Sequence, residues 1–307
     1  MRRIACIIPT YNGKFDLERL LASLKLQTLV FDTFIVDSSS TDGTRELAEM
    51  LVENVKVIPS AEFNHGGTRQ LMVDQYPGYD VYVFLTQDAY LFDRHAIEEL
   101  VRPFDDPQVG AVCGRQLPHL DATPFAKHAR NFNYPLAMLD KTLRDVPRLG
   151  IKTAFMSNSF AAYCGDALIS VGGFPSHVIF AEDMYVSAKM LMAGWKIVYT
   201  SNAQCRHSHN YSVKEEFSRY FDMGVFHARE PWIRENFGGA GGEGIRFVKS
   251  EIAFLGVRRL YLWPSSLLRN LAKFSGYKLG QLEAHIPITI KHQLGMHKKY
   301  WNGPYAV

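Results

Sequence analysis

Val81-Tyr82-Val83-Phe84-Leu85-Thr86-Gln87-Asp88-Ala89 sets five strand-forming residues directly before a lone carboxylate. A short, continuous apolar run of this kind reads as a parallel strand covered on both faces. Ligands of open α/β sheets sit just beyond the carboxyl ends of such strands. An Asp there can hold a hard divalent cation that takes its remaining ligands from phosphate oxygens. It can equally cap a helix in front of His95.

Outward from this stretch, strand patterns over 4–9, 34–37, 55–58 and 109–113 alternate with helical patterns over 15–27, 44–51, 68–75 and 96–102. Repeated β-α-β predicts an α/β fold, a mostly parallel central sheet with helices on both faces. The alternation stops over 116–152, where Pro118, Pro124, Pro135 and Pro147 interrupt any long element. Such a break marks a substrate loop or insertion. Order resumes with a strand over 155–164, helices over 166–171 and 182–193, strands over 195–200 and 203–206, and a helix over 213–229. The glycine-rich run 238–244 reads as a flexible linker.

The chain has 307 residues, with 47% hydrophobic and 13% aromatic residues, which excludes a disordered protein. It has no uncharged apolar stretch long enough for a membrane span. Residues 1–4 run straight into a strand, so no signal peptide is expected. Cys6, Cys113, Cys164 and Cys205 are scattered, match no zinc spacing and fit reduced thiols of a cytosolic protein. The net charge of +3 conceals a split: residues 245–307 hold 10 Lys/Arg against 2 Asp/Glu, a balance of +8, and the first 244 hold 24 against 29, a balance of −5. The basic residues are interleaved with Phe247, Phe254, Leu260, Tyr261 and Trp263, a pattern that fits an interfacial membrane segment better than a nucleic-acid contact. The same apolar faces also suit packing on the body of the protein or on a second copy of the chain.

The other strand ends carry matching chemistry. Pro9-Thr10-Tyr11-Asn12-Gly13 offers backbone and a hydroxyl to a nucleotide, or is an ordinary Asn-Gly turn. Asp37 ends the second strand, where an acceptor-only carboxylate can take the imide N–H of uracil or thymine; Thr41 or Asp42 caps the next helix. In Phe63-Asn64-His65-Gly66-Gly67-Thr68-Arg69, the glycines permit close backbone approach and Arg69 can face a diphosphate. His65 is either a nucleotide contact or a loop histidine.

The order Pro9-Thr10-Tyr11-Asn12, Val36-Asp37 with Ser40-Thr41-Asp42-Gly43-Thr44, Gln87-Asp88 and Glu182-Asp183 resembles the family 2 inverting glycosyltransferases, which have a GT-A fold. The resemblance covers roughly residues 1–230. Within that family, the segments 63–69, 86–89 and His207-Ser208-His209-Asn210-Tyr211-Ser212 are similar to bacterial rhamnosyltransferases of cell-wall and surface polysaccharide assembly. The resemblance implies a catalytic domain over 1–237, with a nucleotide-binding half over 1–115 and an acceptor half over 116–237. Residues 238–244 would be its linker and 245–307 a basic, amphipathic helical tail. It places Pro9, Thr10, Tyr11, Asn12, Asp37, His65, Gly66, Arg69 and Gln87 at the sugar-nucleotide donor. Asp88 matches the final, metal-binding Asp of the usual Asp-x-Asp motif, but Thr86 and Gln87 depart from it, so one carboxylate does the work of two. The implied ion is Mg²⁺ or Mn²⁺. His207 is the implied further ligand and His209 the second candidate; on an extended segment their rings point to opposite faces, so only one reaches the ion.

Asp183 matches the catalytic base, which accepts the acceptor's proton during a single inverting displacement, and Glu182 beside it supports the site or meets the acceptor. The implied donor is dTDP-β-L-rhamnose and the acceptor a polyprenyl-linked saccharide, with the enzyme cytoplasmic and peripheral on the inner face of an anionic membrane. Asp37 does not distinguish thymine from uracil, so a UDP-hexose transferase is the nearest rival. An inactive nucleotide-sugar-binding or membrane-recruiting module is the rival of another class, and the intact Asp88 and Asp183 count against it.

Overall fold

Along β1 (Ile4–Thr10), Ile4, Cys6 and Ile8 belong to one apolar core and Ala5 and Ile7 to another, the alternation of an inner strand covered on both sides. The computed structural model describes residues 2–239 and 241–306. β1 pairs in parallel with β2 (Asp32–Asp37) and β4 (Val81–Leu85), and β2 with β3 (Asn54–Val57). Beyond β4 the sheet becomes mixed. β8 (Phe160–Cys164) runs antiparallel between β4 and β6 (Val109–Leu117), and β9 (Lys196–Arg206) is parallel to β6. The short strands β5 (Tyr90–Leu91) and β7 (Leu139–Lys141) pair antiparallel with β9. The expected layering is present, with the parallel half carrying the aligned strand ends.

One core lies under α1 (Lys14–Leu24), α2 (Thr44–Leu51) and α4 (Ala96–Val101). The other lies under α3 (His65–Gln75), α7 (Gly165–Ser170), α8 (Glu182–Met192) and α9 (Val213–Arg229). The irregular region contains α5 (Pro124–Asn133), β7 and α6 (Val146–Leu149). Pro124 opens α5 rather than interrupting it, because Thr123 caps the helix and a first-turn residue needs no N–H.

The remaining helices are α10 (Pro231–Phe237), α11 (Gly241–Leu255), α12 (Trp263–Gln281) and α13 (Ile288–Leu294). α11 starts inside the run expected as a linker, so the glycines from 241 to 244 form a helical turn. The 245–306 segment packs on the catalytic body. A Cβ on Gly280 would lie 2.0 Å from the Phe221 carbonyl oxygen, one on Gly276 2.4 Å from that of Phe217, and one on Gly224 2.3 Å from that of Tyr277. α12 and α9 therefore meet backbone to backbone. Glu216 faces Arg269 and Lys273, and Glu283 pairs with Arg229 and Lys291, so Arg269, Lys273 and Lys291 of the tail's ten basic residues are paired internally.

Candidate active site

The loops after β1 and β2 are tied to each other. Asn12, in the left-handed region at φ 45°, accepts from the Thr41 N–H (2.8 Å), and the Gly13 N–H donates to the Thr44 hydroxyl (2.9 Å). Asp37 is fully buried and accepts from Thr10 Oγ1 (2.9 Å), Ser40 Oγ (2.6 Å) and the Ser40 N–H (2.8 Å). Three of its roughly four lone-pair positions are thus used within the protein. Gln87, expected at the donor, instead clamps the Tyr11 backbone in both directions, accepting from its N–H (2.9 Å) and donating to its carbonyl (3.0 Å). The clamp passes Gly13, where a Cβ would lie 2.0 Å from Gln87 Nε2. Tyr11 keeps an exposed ring.

Three expected donor contacts are engaged within the protein here. Arg69 is 4% exposed, donates to the His65 carbonyl (2.7 Å) and pairs with Glu182 at 3.1 Å, so it faces a carboxylate and not an open diphosphate seat. At Gly66 a Cβ would lie 1.8 Å from the Pro175 carbonyl oxygen, so this glycine lets α3 approach the 173–176 turn. His65 packs edge-on against the rings of Phe63 and His297, and burial keeps its imidazole well below its usual pKa.

Glu182 and Asp183 begin α8 behind Ala181, a non-glycine residue at φ 61°. That conformation costs about 1 kcal/mol, and such strain clusters at functional positions. Glu182 is buried and held by Arg69 and by Asn158 Nδ2 (2.8 Å). Asp183 accepts from the backbone N–H groups of Asn158 (3.0 Å) and Met184 (2.7 Å). Burial, with the charge of Glu182 adding to it, raises the Asp183 carboxyl to about 7, a value suited to a general base.

Asp88, His207 and His209 bring one ligand atom each within 4.8 Å of one another. His207 Nε2 lies 3.4 Å and His209 Nδ1 3.8 Å from Asp88 Oδ2. Both rings reach the same place, contrary to the expectation that only one would: β9 ends at Arg206, so 207–209 does not follow strand alternation. The hydrogen bonds fix the His207 tautomer. Gln116 donates through Nε2 to Ser157 Oγ (2.9 Å), while its Oε1 accepts from Arg130 Nη1 (2.6 Å); His207 Nδ1, 2.8 Å from that oxygen, must therefore donate. Burial holds His207 below its ordinary pKa against the pull of Asp88, and burial takes His209 down to about 3. An imidazole lone pair thus faces a carboxylate, two electron-rich groups that a divalent cation reconciles.

The description "Glycosyl transferase family 2" matches residues 5–172 of this chain. The chain belongs to that family. It is 52% identical over 303 residues to the O-antigen chain rhamnosyltransferase RfbN of Salmonella typhimurium, with 98% of this chain and 96% of that one covered. It is 50% identical over 304 residues to the O-antigen chain rhamnosyltransferase WbaN of Salmonella anatum, with the same coverage. Among solved structures, the mannosyltransferase PcManGT of Pyrobaculum calidifontis, in complex with GDP-Man and Mn²⁺, aligns at a TM-score of 0.56 over 97% of this chain and 84% of that one. At 18% identity that likeness concerns the fold alone.

The cleft of this family 2 glycosyltransferase has a volume of about 350 Å³ and is lined by Asp16, Asp88, His119, Asp121, His209 and Tyr211, among others. Gln116, Arg130, Asn158 and His119 were not signalled by the sequence, because each acts through a partner remote along the chain. Arg219 also emerges only in three dimensions. Its guanidinium lies 5.6 Å from the Phe180 ring and 5.8 Å from that of Tyr211, spanning from the Asp183 loop to the His207–His209 segment.

Proposed function

We propose that this enzyme transfers L-rhamnose from dTDP-β-L-rhamnose to a saccharide acceptor carried on a polyprenyl lipid, in surface polysaccharide synthesis, with inversion at the anomeric carbon. The observation that carries the reading is the 52% and 50% identity to enzymes named O-antigen chain rhamnosyltransferases, spread over nearly the whole of each chain. Asp183 takes the acceptor hydroxyl's proton as that oxygen attacks the anomeric carbon. The bond to the diphosphate oxygen breaks on the opposite face. Arg219 fills the charge-offsetting role first expected of Arg69. Asp88, His207 and His209 would hold a divalent cation that adds to this charge compensation, and two imidazoles beside one carboxylate favour Mn²⁺ over Mg²⁺. The measurement is a donor panel with purified enzyme: turnover with dTDP-rhamnose and little with UDP-hexoses is expected. Turnover of UDP-sugars without turnover of dTDP-rhamnose defeats the rhamnosyl reading.

The enzyme is further proposed to work on the inner face of an anionic membrane. No helix of the described residues is long and apolar enough to cross one. Trp263, Leu267, Leu271 and Phe274 form an exposed apolar stripe along α12, opposite the glycines that meet α9, and the segments before α12 carry exposed Arg258 and Lys249. Apolar area flanked by basic groups suits an anionic lipid surface. Changing Leu267, Leu271 and Phe274 together to Ser is expected to abolish sedimentation with phosphatidylglycerol vesicles while sparing turnover on a water-soluble acceptor. Undiminished vesicle binding would remove the stripe from this role.

A further inference from the structure

Lys299 lies far along the chain from the nucleotide-binding strands, yet its ammonium sits 4.6 Å from the centre of the Tyr11 ring and donates to the Ser60 carbonyl (3.0 Å) and hydroxyl. Sheet order gives this position its meaning. Tyr11 follows β1 and Ser60 follows β3, while Asp37 ends β2 between them. Lys299 therefore bridges the loops that follow β1 and β3, the two strands that flank β2 and its terminal Asp37.

The segment bearing Lys299 is held firmly. Asp222, fully buried in α9, accepts through Oδ2 from the N–H groups of Met296 and His297 (both 2.9 Å) and lies 2.7 Å from His297 Nδ1. The His297 ring stacks on Phe180 at 5.2 Å, the Tyr300 hydroxyl donates to the His177 carbonyl (2.9 Å), and Trp301 is buried. Two of the three ammonium donors go to Ser60, so one remains for a ligand.

We propose that Lys299 is a donor-contacting residue that closes the nucleoside end of the site, and that its ammonium passes from Ser60 to an oxygen of the bound nucleoside diphosphate. The four-carbon stem allows that transfer without moving the anchored backbone. This inference rests on the reading of the Asp37–Tyr11 region as the donor's nucleoside seat. It also makes residues 296–301 part of the catalytic site, so the 245–307 segment is more than an anchor.

The experiment measures dTDP and UDP binding by calorimetry, and donor KM and kcat, in wild type, Lys299→Met and Lys299→Arg. Loss of one charge-assisted hydrogen bond is expected to raise the dTDP Kd and the donor KM about tenfold in Lys299→Met, with kcat nearly unchanged and partial recovery in Lys299→Arg. Unchanged Kd and KM in Lys299→Met overturn the proposal, and so does tighter binding, which would make Lys299 a plug over the seat. Failure of wild type to bind either nucleotide would instead sink the donor-site reading itself.

Discussion

Asp183→Asn is expected to lower kcat by about 10²–10⁴-fold, the usual worth of a positioned general base, while leaving the dTDP Kd within about twofold. The two carboxylate oxygens serve the Asn158 and Met184 N–H groups separately, so Asn keeps an acceptor for only one of them and cannot take the acceptor's proton. Wild-type kcat should rise with pH through about 7, where burial and Glu182 place the Asp183 carboxyl, and the variant's residual rate should lack that inflection. Stability supplies an independent readout. Between 3.8, the ordinary value, and about 7, the unfolded chain ionises this carboxyl and the folded chain does not, so wild type loses stability as pH rises through that window. The variant escapes this loss, and its thermal midpoint relative to wild type should climb from pH 4 to pH 8. Near-normal turnover in Asp183→Asn would remove the residue from catalysis.

What the sequence made legible was local. β4 is a buried apolar run followed by a carboxylate, so both the strand and the position of Asp88 follow from adjacent residues. The Asn12 and Ser40–Thr44 loops were readable as two pieces, but their mutual hydrogen bonding was not. Arg69 was misread because an arginine opening a helix next to glycines signals an anion, and its actual anion, Glu182, lies on another helix. The His-x-His argument failed for a different reason: strand periodicity was extended past the end of β9. Lys299 and Arg219 carry no motif at all; Asp222 of α9 anchors the segment that bears Lys299, and Arg219 meets Phe180 and Tyr211 only when α9 packs beside them, partners that the sequence does not link.

Asp88→Asn is expected to reduce turnover by about 10²–10³-fold, because losing the single carboxylate of the ligand set forfeits several kcal/mol of charge compensation at the leaving diphosphate. EDTA should bring wild type to the same level, Mn²⁺ should restore it, and the variant should respond to neither. A purely structural Asp88–histidine ion pair predicts the reverse pattern, a less stable variant and a wild type indifferent to EDTA. Burial argues against that alternative: it holds both imidazoles below their ordinary pKa, and a neutral His207 whose Nδ1–H donates to Gln116 turns a lone pair, not a proton, toward Asp88. With one carboxylate where the usual motif has two, the site by itself neutralises only half of a divalent charge, so a diphosphate should complete it. Mn²⁺ titrated into wild type and followed by electron paramagnetic resonance should bind weakly alone and about tenfold or more tightly with dTDP present, as linkage between two ligands of one site requires. Equal affinity with and without dTDP would mean that the ion and the diphosphate do not meet, and would remove Asp88 from the donor site.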